Sequence, residues 1–338
     1  MIQLLYIGNN LRSKNSNLSS IQVLGSLLEQ EGYNIFYASS KINKVIRLLD
    51  MVYSFFKYYR RVDFVIIDTY STHNFYYALL ISQLCRIFKV KYITSLNGGN
   101  LPARLERHPY MSGLVFNHSY YNVTPSLYLK VAFERFGYSH LVYIPNTIVL
   151  ANYNCTPKSY ENIRLLWVRS FSKIYNPTMA IKVLKLLIDQ GYNAELCMVG
   201  PDSDGTLQDV SEFAQELKVP VTFTGKLPKA DWIALAKDYN IFINTTNFDN
   251  MPLSVIEAMA LGLPIISTNV GGIPYLITDG VDGLLVTKND AHAMVQAIIN
   301  TINDMEATQN RVNNARAKVE DFDWDTVKSK WESILTLP

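Results

Sequence analysis

The chain reads as an α/β protein built on two parallel sheets, and three observations carry that reading. Short strand-like apolar runs alternate with helix-length amphipathic segments from end to end, the pattern of parallel sheets covered by helices on both faces. The length, 338 residues, exceeds one ordinary domain and suits two. A polar stretch without periodicity, Asn146 to Asn162, separates two halves that look architecturally alike.

In the first half the strands are expected at Gln3–Tyr6, Asn34–Tyr37, Asp63–Ile67, Lys91–Ser95, Asn122–Thr124 and Val142–Ile144. In the second they are expected at Arg164–Val168, Glu195–Val199, Val221–Thr224, Ile241–Asn244, Ile265–Ser267 and Leu284–Val286. This gives a first Rossmann-like domain over 1–150 and a second over 160–320, with a last segment over 321–338. Ligands of open α/β sheets bind outside the carboxyl ends of the strands, so two such domains are expected to face one another across a cleft.

Composition narrows the class. With 49% hydrophobic and 18% charged residues the chain is globular. A net charge of +2 gives no reason to expect a nucleic-acid partner. No apolar run approaches the ~18 residues of a membrane span, and the first residues read as a buried strand rather than a signal peptide. Cys85, Cys155 and Cys197 are few and scattered, which argues against a disulfide framework or zinc site and points to a cytoplasmic setting. The five histidines show no metal-ligand spacing.

The chemistry concentrates in one stretch. The run Asn240–Asn244 reads as a buried strand, Pro252 fits the first turn of a helix and Gly262 its stop. Asp249 then lies just ahead of a helix N-terminus and Glu257 about a turn and a half inside it. The helix dipole and the backbone N–H groups of Asn250, Met251 and Leu253, with Pro252 between them, make an anion site. A carboxylate beside a phosphate pocket, with a second deeper in, suits a nucleotide-sugar donor. Upstream, Arg169 and Lys173 stand four apart in the loop after a strand, and Gly200 and Lys226-Leu227 follow two more strand ends.

These segments resemble the retaining glycosyltransferases of family 4, which have the GT-B fold. The signature is Asp249-x7-Glu257-Ala258-Met259-Ala260, then Gly262, Pro264, Ser267, Gly271-Gly272 and Asp279-Gly280-Val281-Asp282-Gly283. Thr246 stands where the family commonly has Ser, and Asp249 replaces its first Glu. The resemblance is strong from Ile163 onward and weaker before it. It implies that Arg169 and Lys173 clamp the donor diphosphate, that Glu257 accepts the ribose hydroxyls, and that Asp249 lies near the transferred sugar. It implies that Gly200, Lys226 and Leu227 line the donor site, and that the closing helix returns to the first domain. In the first domain Gly8-Asn9-Asn10 stands where the family often has a Gly-Gly loop. Asn97 stands where a His usually meets the donor sugar. Asn keeps a hydrogen-bonding head but carries no proton at neutral pH, so positioning is expected of it and acid catalysis is not.

The expected activity is retaining transfer of a sugar from a nucleoside-diphosphate sugar to an acceptor hydroxyl, on a glycan, lipid-linked or protein acceptor in surface glycan assembly. No metal and no further cofactor is expected. The rivals are a nucleotide-sugar-binding subunit without catalysis and a nucleotide-sugar epimerase of the same architecture. Asp202-Ser203-Asp204 spells the metal-binding Asp-x-Asp of another glycosyltransferase fold, which the two-domain pattern opposes.

Residues 41–61 carry Lys41, Lys44, Arg47, Lys57, Arg60 and Arg61 against Asp50 alone. Ile42, Val45, Leu49, Val52, Phe56 and Tyr59 fall on one helical stripe. That helix is expected to cover the first sheet with a basic outer face. The sharper expectation is a surface that docks on the inner face of a membrane for a lipid-linked acceptor.

Overall fold

The computed structural model describes residues 1–11 and 19–336. It divides into two compact units, one of residues 1–146 with the helix Trp324–Leu335, the other Thr147–Asp323.

The first unit holds a six-stranded sheet in the order β2-β1-β3-β4-β5-β6, parallel throughout. Its strands are β1 (Gln3–Ile7), β2 (Asn34–Ala38), β3 (Phe64–Thr69), β4 (Tyr92–Leu96), β5 (Tyr121–Thr124) and β6 (Leu141–Tyr143). Successive side chains of a strand point to opposite faces, and both faces here are apolar. Leu4, Tyr6, Phe64 and Ile66 pack with Trp324, Val327 and Trp331 of the last helix. Leu5, Ile7, Val65 and Ile67 pack with Met51 and Phe55 on the other side. Burying each such side chain contributes about 1.5–3 kcal/mol, which is why the last helix belongs with strands some 250–320 positions earlier. Its Trp324 indole also donates to Glu31 at 2.9 Å.

The second unit repeats the plan, with order β12-β11-β10-β7-β8-β9. Its strands are β7 (Ile163–Val168), β8 (Ala194–Val199), β9 (Val221–Gly225), β10 (Ile241–Asn244), β11 (Ile265–Thr268) and β12 (Leu284–Val286). All of its pairings are parallel.

The helix Lys44–Tyr58 departs from the expectation that it buries its most apolar stripe. The arc packed inward is Arg47, Met51, Ser54 and Phe55. Of the predicted stripe, Ile42 is 86%, Val45 67%, Leu49 62% and Phe56 46% exposed. The cause is Arg47, expected on the outer face. Its guanidinium donates to Lys41 O (2.7 Å), Ile42 O (2.8 Å) and Asn9 Oδ1 (2.9 Å), which satisfies the charge inside and leaves Ile42, Val45, Leu49 and Phe56 outward while Val52 and Tyr59 still pack on the core.

Candidate active site

The carboxyl ends of β7, β8 and β9 are knitted together by backbone. The Arg169 N–H donates to Val199 O at 3.0 Å, and the Gly200 N–H donates to Gly225 O at 2.9 Å. Gly200 has φ +154°, and a Cβ there would lie 1.8 Å from Arg169 O. Only glycine lets the end of β8 pass so close to the residue that carries the cation.

After β10 the loop is pinned to the segment that follows Arg169. The buried Trp167 indole donates to Thr245 Oγ1 at 3.0 Å, and that hydroxyl lies 3.0 and 2.9 Å from Tyr175 O and Asn176 O. The Asn247 N–H donates to Ile174 O at 2.8 Å. Thr246, fully buried, donates to Phe248 O at 2.9 Å, and its own carbonyl accepts from Thr268 Oγ1 at 2.6 Å. Thr246 is therefore a buried anchor of the loop. On the far side, Gly271 and Gly272 press against the same loop: added Cβ atoms would lie 2.2 Å from Asp249 O and 1.8 Å from Asn250 O. The Gly272 N–H donates to Asp249 O at 2.8 Å.

That scaffold sets Asp249 against Arg169. Their side chains form an ion pair in which each is 14% exposed, and the Arg169 guanidinium stacks 4.3 Å from the Tyr175 ring. Burial pulls the Arg169 guanidinium below its ordinary value. Asn250 donates its N–H to Asp249 Oδ1 at 2.8 Å, and Met251 is buried in the core. Pro252 sits at the cap position with extended backbone rather than inside the first turn, and the helix runs Leu253–Ala260. No side chain caps its N-terminus, and the buried Ser254 hydroxyl beside it has no hydrogen-bond partner among the described residues.

Glu257 is 5% exposed. Its Oε1 accepts from the Tyr153 hydroxyl at 2.9 Å and pairs with Lys229 Nζ at 2.5 Å. Burial and the neighbouring carboxylate push the Tyr153 phenol far above its ordinary value. Sequence reasoning passed over both partners. Tyr153 lies in the polar stretch read as a linker, and Lys229 lies three residues after the singled-out Lys226. Lys226 is exposed, and Leu227 packs against the core.

Lys173 is exposed at the start of a short turn, and its N–H donates to Asp204 at 3.1 Å. The carboxyl of Asp204 is held down at about 2, first by the Thr206 hydroxyl and then by Ser172 and backbone N–H groups. Asp202 accepts the Gly205 N–H at 2.9 Å. Both acids of Asp202-Ser203-Asp204 thus bind their own loop. No three His, Cys, Asp or Glu side chains among the described residues are grouped to hold a metal ion.

In the first unit, Gly8 follows β1 and Asn97 follows β4. The Asn97 amide donates to Asp68 Oδ1 at 2.7 Å and accepts from Ser20 Oγ at 2.9 Å. Asp68, near the end of β3, is 4% exposed and was not singled out from sequence. Its only local signal was a carboxylate ending an otherwise apolar run.

Two α/β units with parallel sheets and a last helix returned to the first unit define the GT-B fold. Sucrose-phosphate synthase from Thermosynechococcus elongatus matches with a TM-score of 0.84 at 16% identity, over 99% of this chain and 98% of that one. Anabaena HepE, solved in complex with UDP-glucose, matches with a TM-score of 0.80 at 16% identity, over 100% of both chains. Residues 156–318 match the family described as glycosyl transferases group 1. Among curated relatives, the capsular polysaccharide biosynthesis glycosyltransferase CapM of Staphylococcus aureus is 28% identical over 160 residues, 46% of this chain and 42% of the relative. D-inositol 3-phosphate glycosyltransferase of Corynebacterium glutamicum is 26% identical over 164 residues, 47% of this chain and 39% of the relative. The matches span less than half the length of these relatives.

Proposed function

We propose that the chain is a retaining glycosyltransferase of family 4, transferring a sugar from a nucleoside-diphosphate sugar to an acceptor hydroxyl in surface glycan assembly. The observation that carries this is the Arg169–Asp249 pair set ahead of an uncapped helix N-terminus with Glu257 buried in the same helix. Free N–H groups at Leu253 and the unpartnered Ser254 hydroxyl suit a phosphate. Arg169 and the exposed Lys173 would take the charge that builds on the departing diphosphate, the largest electrostatic demand of glycosyl transfer. Glu257 would bind the ribose diol, with Tyr153 and Lys229 fixing its orientation. Asp249 would face the transferred sugar, where retaining chemistry uses a carboxylate either as nucleophile or as stabiliser of positive charge. The work is assigned to side chains and helix N–H groups without a metal. The likeness to the capsular polysaccharide glycosyltransferase CapM and to HepE bound to UDP-glucose supports a glycan product and a uridine donor. A thermal-shift screen against UDP-, GDP-, ADP- and CMP-sugars, followed by transfer assays, tests the reading. A ligand at 100 times its Kd adds about 2.7 kcal/mol of stability. No shift with any of the four, and no turnover, would overturn it.

A second reading concerns location, and the outward stripe of residues 41–61 favours it. Ile42, Val45, Leu49 and Phe56 are exposed beside Lys41, Lys44, Lys57, Arg60 and Arg61. Phe56 stacks edge-on to Phe88, extending the apolar face to the exposed Ile87. Apolar side chains ringed by cations fit an anionic lipid surface, each cation near it contributing about 1 kcal/mol. No helix among the described residues is long and apolar enough to cross a membrane, so the contact would be peripheral. Co-sedimentation with phosphatidylcholine vesicles, with and without one third phosphatidylglycerol, should show binding to the anionic set alone. Leu49→Glu with Phe56→Glu should abolish it, and binding unaffected by that pair would refute the assignment.

A further inference from the structure

The carboxyl ends of β1, β3 and β4 meet around Asp68, a carboxylate that the reading above does not use. Asp68 Oδ1 accepts from the Tyr6 hydroxyl at 3.1 Å and from Asn97 Nδ2 at 2.7 Å. Its Oδ2 is buried and has no hydrogen-bond partner among the described residues. The wall facing Oδ2 is Gly8, where an added Cβ would lie 2.5 Å from that oxygen. A side chain at position 8 would crowd the carboxylate. A buried carboxylate oxygen left without a hydrogen bond is destabilising, which calls for a role. Around it stand Tyr6 on β1, Tyr70 and Ser95 after and beside it on the sheet, Asn97, and Ser20 with the N–H of Ile21 at the start of the helix Ser20–Gln30. No cation pairs with it among the described residues.

We infer that Asp68 is a positioning residue that holds the Asn97 amide with its NH2 inward and its carbonyl outward, so that this strand-end crevice offers an acceptor to a sugar hydroxyl. An ionised carboxylate only accepts, so Asn97 must turn Nδ2 toward it. The carbonyl Oδ1 then faces the Ser20 hydroxyl, the place a ligand hydroxyl would take. A protonated Asp68 can donate instead, the amide is free to flip, and the crevice changes from acceptor to donor. The ligand part of this inference rests on the transferase reading; the orientation of the amide does not. Burial pushes the Asp68 carboxyl up to about 7, which sets the change near neutrality.

The test uses selective 15N-asparagine labelling of the full chain. The Asn97 side-chain amide should shift with a midpoint near neutral pH, and Asp68→Asn should remove that titration while the melting curve shows a folded protein. An amide that does not titrate between pH 5 and 8.5, or that titrates unchanged in Asp68→Asn, overturns the inference. With the donor found active in the screen, kcat/KM should fall by up to tenfold per pH unit below the midpoint and be flat in Asp68→Asn. An amide that titrates beside an unaltered kcat/KM profile overturns the ligand contact. Absence of transfer with every donor counts against the transferase reading alone, since the amide signal is still read.

Discussion

Gly272→Ala isolates the scaffold under Asp249. Gly272 has φ −87°, which any residue adopts, so the penalty is steric alone. The new Cβ would lie 1.8 Å from Asn250 O and 2.7 Å from its carbonyl carbon, where ordinary contact begins at 3.4 Å. The backbones must part by over an ångström, which also breaks the 2.8 Å bond from the Gly272 N–H to Asp249 O. Overpacking costs about 1–3 kcal/mol, and the lost hydrogen bond adds about 1 kcal/mol. For a domain of this size each kcal/mol moves Tm by about 2–4 °C, so a fall of roughly 5–10 °C is expected by calorimetry. Displacing Asp249 by that distance should lower kcat/KM by about 10²-fold. Gly191→Ala is the control. Its φ is +87° with nothing within 4 Å of the added Cβ, so it should cost about 1–2 kcal/mol of backbone strain and leave transfer unchanged. A Gly272→Ala protein with Tm within a degree and kcat/KM within twofold of the parent would refute the reasoning.

Arg169→Ala should lower kcat by about 10²–10³-fold, the worth of one preorganised charge on a developing anion, about 2.7–4 kcal/mol; unchanged kcat/KM on the true donor would remove Arg169 from the site. Saturating chelator should leave transfer intact, since Asp202 and Asp204 are bound to their own loop; complete loss restored by magnesium or manganese would contradict this. Asp68 also predicts a pH slope in stability. Its folded value, about 7, lies above the unfolded 3.8. The folded chain therefore holds the extra proton between these values, and stability falls as pH rises through that window, by roughly 1.4 kcal/mol per unit. Urea unfolding at pH 5 and pH 8 should show roughly 2–3 kcal/mol of this loss in the parent and not in Asp68→Asn; equal slopes would count against it.

All twelve strands of the described residues were legible in the sequence, because parallel strands buried on both faces are continuous apolar runs with few competing readings. The segment from Thr246 to Glu257 was legible because the strand, the proline, the helix and the two acids lie within one short stretch. What stayed hidden depends on distant partners. Nothing local marks Tyr153 as the donor to Glu257, 104 positions away, or sets Arg169 against Asp249. Arg47 misled the reading of its helix, since periodicity treats a charged residue as outward and cannot see three carbonyl and amide acceptors waiting inside. Asp68 was missed for the same reason: its environment is built by Tyr6 and Gly8 at the end of β1 and by Asn97 after β4.

The central claim, that two carboxylates of one short segment do different jobs on one donor, is tested most directly by steady-state kinetics of Asp249→Asn and Glu257→Gln. Glu257 is assigned to the ribose, which does not change during reaction, so its loss should raise donor KM more than it lowers kcat. Asp249 is assigned to the sugar, where charge develops, so its loss should depress kcat with a smaller effect on KM. Asp249→Glu should keep part of the activity. If both amide variants leave kcat/KM within twofold of the parent, the segment is scaffold and the account is wrong.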